Sequence, residues 1–332
     1  MEEAGDGTKF IGVDVSKGKL DYSAWAGGGR RKSGSVPNDA KGAGRLARMA
    51  LERGLAVCCE PTGGYERPLV DACLAAGAPV YVADAYKVRH YAVGAGRLAK
   101  TDAIDAAVIG AFAEAGLARE ARPRPRAVGR LKELVALRAD VEGDVARARS
   151  RLEHASDPFA AAMLRKRLRN AEADVRRIDA EIRAAAGEDA GVAGVLGRMQ
   201  SVSGVGLLTA ATFVALLPGC LDGMTGKEAA KLVGVAPMDS QSGKTDKARH
   251  MARGIPAARS CLYMAALVAA RRNAVLKGVY ERLRGAGKTP KVALCAVARK
   301  LAELLCRIAS DPDFRPSADK VAKDPGKMAP AA

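Results

Sequence analysis

Hydrophobic positions in the N-terminal third of the chain come in short runs separated by turn residues. Lys9-Phe-Ile-Gly-Val-Asp14 is one such run. Leu20-Asp-Tyr-Ser-Ala-Trp25 follows it after Ser16-Lys-Gly-Lys19, so the pair predicts a β-hairpin. Ala40 to Arg53 has helical spacing. Leu55 to Glu60 reads as a buried strand stopped by Pro61-Thr-Gly-Gly64. Tyr65 to Ala76 predicts a helix ended by Gly77, Pro79 to Ala83 a further strand, and Ile104 to Ala115 a helix ended by Gly116. Strands alternating with helices after an opening hairpin predict an α/β domain with a mixed sheet.

Pro123 and Pro125, inside Arg122-Pro-Arg-Pro-Arg126, mark a linker, and the pattern then becomes long, charged and helical. Leu164, Leu168, Ala171, Val175, Ile178 and Ile182 follow the spacing of an a/d seam. Leu134, Leu137, Val141, Ala148 and Leu152 form a similar stripe before a break at Ser156-Asp157-Pro158. The two helices pair as an arm or a dimerising coiled coil, or lie as amphipathic helices on a globular core; the spacing leaves both open. From Val195 the pattern is again that of a helical domain, with a basic loop from Ser240 to Arg253. The Pro-, Lys- and Ala-rich stretch after Pro312 is expected to be disordered. The expected domains are therefore 1–122 (α/β), 123–190 (helical coiled-coil linker), 191–311 (mainly α-helical) and 312–332 (tail).

Composition narrows the partners. With 48% hydrophobic residues the 332-residue chain has material for a sizeable core. Its formal charge of +17 calls for a polyanion. No apolar run approaches the roughly 20 residues needed to span a bilayer. The N-terminus is acidic and lacks the apolar stretch of a secretory signal, so a cytoplasmic, nucleoid-associated protein without a membrane partner is expected. Seven scattered cysteines and three distant histidines fit reduced, partly buried thiols better than a zinc site or disulfides.

Four carboxylates stand out. Asp14 and Glu60 each end an apolar strand, where a lone charge is costly. Asp102 and Asp105 are three apart on a helix and so share a face. Together they can converge on hard cations, and a pair of ions about 4 Å apart can clamp the attacking and leaving oxygens of a phosphodiester. Singly, Asp102 and Asp105 also read as a helix cap with a favourable acidic first turn, and Asp14 as a turn initiator. An actin-like or sugar-kinase ATPase also opens with Gly-x-Asp on a hairpin strand, but a second phosphate-binding glycine hairpin and an adenosine loop are missing from this sequence.

A second constellation is Gly234-Val-Ala-Pro237 leading to Ser240-Gln-Ser242-Gly243-Lys244. Gly243 permits a tight turn that exposes the Ser242 hydroxyl. Lys244, Lys247, Arg249 and Arg253 place positive charge where it can hold a phosphate. Ser242 is thus a candidate nucleophile. On the residues alone a solvated phosphate-gripping loop is favoured, because no histidine or other base adjoins it. Ser203-Gly204-Val-Gly206 resembles a helix–hairpin–helix turn whose amides hold a phosphate without reading sequence; a helix-capping turn explains it equally well.

Taken together, Gly12-Val-Asp14-Val-Ser-Lys17, Glu60-Pro-Thr-Gly-Gly-Tyr65, Lys100-Thr-Asp102-Ala-Ile-Asp105, the turn at Ser203 and the Gly234-x-x-Pro237 to Lys244 segment resemble, over residues 9 to 310, the bridge-RNA-guided transposases of the "IS one-ten" insertion sequences, the DEDD transposases. The resemblance implies a RuvC-like (RNase H-fold) N-terminal domain in which Asp14, Glu60, Asp102 and Asp105 bind Mg²⁺, with Mn²⁺ as a substitute. It implies that Ser242 attacks DNA, reversing the preference drawn from the residues alone. It further implies a structured guide RNA, double-stranded donor and target DNA bound through Lys100, Ser203, Gly204, Gly206, Gly243, Lys244, Lys247, Arg249 and Arg253, and a homodimer assembling to a tetramer with composite sites. Two features depart from the pattern: Ile255 follows Gly254 where Asn is expected, and Ser240 leaves the register of the nucleophile open. The rival readings are a metal-only Holliday-junction resolvase or nuclease, and a non-catalytic RNA-binding scaffold.

Overall fold

The structure, a computed structural model, describes residues 8–25, 30–96, 102–236, 241–242, 245–246 and 254–314. The chain divides into two compact units, Met1–Pro123 and Arg124–Ala332.

The first unit is built on a six-stranded sheet in the order β3-β2-β1-β4-β5-β6. β1 (Phe10–Val15) and β2 (Lys19–Trp25) form the expected hairpin. β3 (Arg31–Pro37) extends it antiparallel as an edge strand. β3 is absent from the sequence expectation because its pattern, Arg-Lys-Ser-Gly-Ser-Val-Pro, buries only Val36. β4 (Ala56–Cys59) and β5 (Val80–Val82) continue on the other side of β1 in parallel, and β6 (Arg119–Glu120) closes the row antiparallel. Strand alternation splits the interior in two. Ile11, Val13 and Val15 of β1 and Val57 and Cys59 of β4 pack with α1 (Ala40–Arg53) and α2 (Arg67–Ala76). Phe10, Ala56 and Cys58 face the other way, toward α3 (Ala85–Gly94) and α4 (Asp102–Glu114). Five of the seven cysteines are buried; burial first, and the charge of Glu60 second, pushes the Cys58 thiol up to about 12.

The second unit is helical. α5 (Arg126–Glu153) and α6 (Pro158–Gly187) lie against one another, and α6 starts where Asp157 caps the Ala160 N–H ahead of Pro158. Along α6, Ile178 and Ile182 are buried and Leu164, Leu168, Ala171 and Val175 half-buried. On α5 the stripe is corrected. Of its residues Ala148 is buried and Leu134, Val141 and Leu152 half-buried, but Leu137 is 49% exposed, and Leu131 and Val135 are buried beside them. Arg138 takes the inward place beside Leu137, its Nε donating to Asp179 on α6 at 2.6 Å. Then follow α7 (Ala190–Gln200), α8 (Leu207–Leu216), a 3-10 turn at Pro218–Asp222, and α9 (Gly226–Val233). The two-stranded ladder of β7 (Gln241–Ser242) and β8 (Thr245–Asp246) precedes α10 (Pro256–Arg272), α11 (Ala274–Gly285) and α12 (Pro290–Ser310). Along α12, Val297, Ala298, Leu301, Ala302, Leu305 and Ile308 are fully enclosed. Packing continues past Pro312: Phe314 is buried, with the Arg307 guanidinium 4.3 Å over its ring. The expected tail therefore begins no earlier than residue 315, from where the chain lies outside the described residues. Among the described residues no helix is long and apolar enough to cross a membrane.

Candidate functional site

Register brings the first two carboxylates together. Val13 pairs with Cys59 across β1 and β4, and Cys59 with Val82 across β4 and β5. The next residues, Asp14, Glu60 and Ala83, therefore reach the same sheet edge, where the Ala83 N–H donates to the Cys59 carbonyl at 2.9 Å. Alternation assigns Asp14 and Glu60 to the face covered by α4, since Gly12 on that face lies directly beneath it.

α4 runs antiparallel to β1, and two fixed points set their relation. At one end the Glu114 carboxylate accepts from the Phe10 N–H at 3.2 Å and from the Trp25 indole at 2.6 Å, and it pairs with Arg31. Arg31 also donates to the carbonyls of Phe10 and Ser23 and lies 4.8 Å from the Trp25 ring centroid. In the middle, a Cβ on Gly12 would stand 1.9 Å from the Ala106 carbonyl oxygen and 2.4 Å from the Gly110 nitrogen. Two strand residues advance about 6.6 Å and four helix residues about 6 Å. The steps Phe10, Gly12, Asp14 therefore keep pace with Glu114, Gly110, Ala106, and Asp105 arrives at the Asp14 end.

Electrostatics report the same convergence. Glu60 is pushed up to about 7, first by burial and then by the charges of Asp14, Asp105 and Asp84. Asp84, which the sequence expectation passed over by ending at Ala83, caps α3 by accepting from the Lys87 N–H at 3.1 Å. Its signal was an aspartate directly after an apolar strand, as for Asp14. The charges acting on Glu60 are all carboxylates, and such crowding is the donor chemistry that a hard cation relieves. Among the described residues no three His, Cys, Asp or Glu side chains stand close enough to hold a metal ion between them. Asp102 opens α4, but its side chain lies outside the described residues, as does Lys100.

The loop after Glu60 is held from within. Gly63 and Gly64 take positive φ, and Glu66 accepts from the Thr62 and Gly64 N–H groups at 2.9 and 2.8 Å. Burial alone would raise Glu66, but these bonds and that from the Thr62 hydroxyl hold it below its ordinary value. Asn38 Nδ2 joins this loop to the end of β1, donating to the carbonyls of Ser16 at 2.8 Å and Tyr65 at 3.0 Å.

In the second unit Ser242 pairs with Thr245 in the β7–β8 ladder; its side chain, and Ser240, Gly243, Lys244, Lys247, Arg249 and Arg253 altogether, lie outside the described residues. The base of the segment is closed. A Cβ on Gly254 would stand 2.4 Å from the Gly234 nitrogen, and the Ile255 N–H donates to the Leu232 carbonyl at 2.9 Å. In the turn between α7 and α8, Gly204 is required for packing: with φ +100°, its Cβ would meet the Ala269 nitrogen at 2.8 Å and the Ala265 carbonyl at 2.9 Å. Ser203 and Gly206 are exposed.

Comparison with known proteins bears on both units. Residues 11–157 match a family model described as a transposase of the DEDD type of IS110 elements, and residues 197–281 match one described as the transposase IS116/IS110/IS902 family. No curated protein matches. Among solved structures, RuvC of Thermus thermophilus aligns over 34% of this chain and 99% of its own at 21% identity, with a TM-score of 0.25.

Proposed function

Since the chain carries the domains of the IS110-family DEDD transposases and is a DNA transposase/recombinase, we propose that it is an RNA-guided recombinase that cleaves and rejoins donor and target DNA through Ser242, with a divalent ion at the carboxylate edge. The family implies dependence on a divalent metal and a DNA substrate. The observation that supports the reading is that Asp14 and Glu60 follow paired residues of two parallel strands to one sheet edge, where the charges of Asp14 and Asp105 act on Glu60, within the residues matched to the DEDD family. Asp14, Glu60, Asp102 and Asp105 would hold Mg²⁺, or Mn²⁺ in its place, in an RNase H-like domain. Such an ion offsets the charge that builds on a phosphate under attack.

In this reading the Ser242 oxygen bonds to phosphorus as the bond from phosphorus to a deoxyribose oxygen breaks. The serine proton is released, and the departing oxygen takes one up. Attack of a strand hydroxyl on the serine ester then joins the new strand and restores Ser242. Lys100, Lys244, Lys247, Arg249 and Arg253 grip phosphates, with exposed Ser203 and Gly206, and Gly204 between them in the α7–α8 turn, holding the backbone. The guide RNA, the dimer-to-tetramer assembly and an α5–α6 coiled coil that supports it belong to the same reading.

The test is a reaction of the full chain with the element's RNA, donor and target duplexes and Mg²⁺. Ser242→Ala should abolish a denaturant-resistant protein–DNA adduct while RNA binding persists, and Asp14→Asn should abolish recombination. An adduct kept in Ser242→Ala but lost in Ser240→Ala would move the nucleophile. Mg²⁺-dependent cleavage with no adduct on a suicide substrate would replace the serine mechanism by a metal-only nuclease or resolvase. Recombination without RNA would remove the guide.

A further inference from the structure

The acidic edge is bordered by exposed rings. Aromatic residues make up only 4% of the chain. Among the described residues the exposed large ones are Tyr65, Tyr86 and Phe159, at 47%, 48% and 75%. Two of these three follow the carboxylates closely in the chain, Tyr65 after Glu60 and Tyr86 after Asp84. Tyr65 closes the Glu60 loop on the α1–α2 side, its carbonyl tied through Asn38 to Ser16, two residues past Asp14. Tyr86 lies two residues past Asp84 on α3, which packs on α4 across the other face.

α3 is two-sided. Val88 is buried, and Tyr91 meets Phe112 edge-on at 5.7 Å. Tyr86, His90 and Val93, spaced i, i+4, i+7, form the outward face, with the Tyr86 and His90 rings 4.1 Å apart. Lys87 and Arg89 are exposed on the same helix. Two exposed rings tilted at 60° to one another, flanked by cations on the helix that follows Asp84, offer aromatic faces to an unstacked base whose phosphates run past the cations.

We propose that Tyr86 and His90 form a stacking platform for an unpaired base of the DNA strand held at the carboxylate edge, with Tyr65 bordering that edge on the opposite side. The inference rests on the reading of that edge as the DNA-cutting site. The strand is then bound with a base splayed from the duplex, so the substrate at the cleavage point is locally single-stranded DNA.

The experiment uses the full chain, without divalent ions, and a single-stranded deoxyoligonucleotide carrying 2-aminopurine. Binding should quench the fluorophore at one position. Tyr86→Ala with His90→Ala should abolish that quench and weaken binding roughly 10- to 100-fold, whereas Tyr86→Phe should retain both. Unchanged quench and affinity in the double variant, with circular dichroism and melting as in the wild type, would overturn the proposal. So would quenching of the ribonucleotide strand alone, or a double variant that alters the oligomeric mass and not DNA binding. Asp14→Asn separates the two levels when its cleavage is read in the full reaction with RNA, duplexes and Mg²⁺: lost cleavage there, with the quench retained in the metal-free assay, supports both. Cleavage retained in Asp14→Asn, with quench still dependent on Tyr86, would sink the reading of the edge and leave the platform standing.

Discussion

An ionised Glu60 has to be held in a partly desolvated place beside Asp14, Asp105 and Asp84, which is why its carboxyl titrates near 7 rather than 4.5. In the unfolded chain that proton is lost near 4.5, so between 4.5 and about 7 the folded protein binds a proton that the unfolded chain does not. The sign follows: with respect to this group, stability is highest below 4.5, declines as pH rises through the window, and stays at its lowest above about 7. Glu60→Gln removes the titration. Without metal, the variant should gain stability relative to wild type on going from about pH 5 to about pH 8, as read by urea unfolding in a chelator. A stability difference that stays constant across the window would disprove the crowding. A divalent ion competes with that same proton, so the wild type should bind Mg²⁺ more tightly as pH rises through about 7, and Glu60→Gln should lose metal-dependent activity.

At the scale of elements, the site depends on how closely α4 seats on β1. Gly12 allows backbone to approach backbone, Gly110 leaves room for the Arg31 guanidinium, and Glu114 latches the far end onto Phe10, Trp25 and Arg31. A methyl group on Gly12 would sit 1.9 Å from a carbonyl oxygen that no side-chain rotation can move. Gly12→Ala should therefore cost about 1–3 kcal/mol in urea unfolding. By shifting Asp105 away from Asp14, it should also raise the Mg²⁺ concentration needed for cleavage. Wild-type stability together with a wild-type Mg²⁺ requirement would mean that α4 is not seated as described. This dependence shows where sequence reasoning reaches its limit. Asp14 and Glu60 were legible because each ends an apolar strand, and parallel pairing then sets them side by side. Asp84 follows the same rule but lies one residue past the apolar run that reads as the strand. β3 was invisible because an edge strand with one buried residue carries no apolar period, and α3 because its outward face is as aromatic as its inward one. The glycines of the β1–α4 contact carry no local sign of their partner. On α5 the heptad count favoured Leu137, whereas an ion pair from Arg138 to Asp179 decides which residue turns inward.

At the scale of the whole molecule, the core clusters are separate: one lies within residues 127–314, and the other two within residues 10–113. Each unit therefore has its own cooperative interior, and calorimetry should resolve two transitions rather than one. The metal supplies a marker that tells them apart, because every carboxylate of the proposed site belongs to the first unit while Ser242 belongs to the second. An ion that binds only the folded first unit stabilises it by mass action, about 2.7 kcal/mol at a hundredfold excess over its Kd. For a unit of this size that is a rise on the order of 10 °C in one transition, with the other unmoved. Asp14→Asn should abolish the shift without merging the transitions. If Mg²⁺ raised both transitions equally in the wild type and in Asp14→Asn, the ion would be acting on the net charge of +17 through general screening rather than at the carboxylate edge. A monovalent salt of equal ionic strength gives the control: it should weaken DNA binding steeply, through release of counterions from phosphate, and leave the first transition where it was.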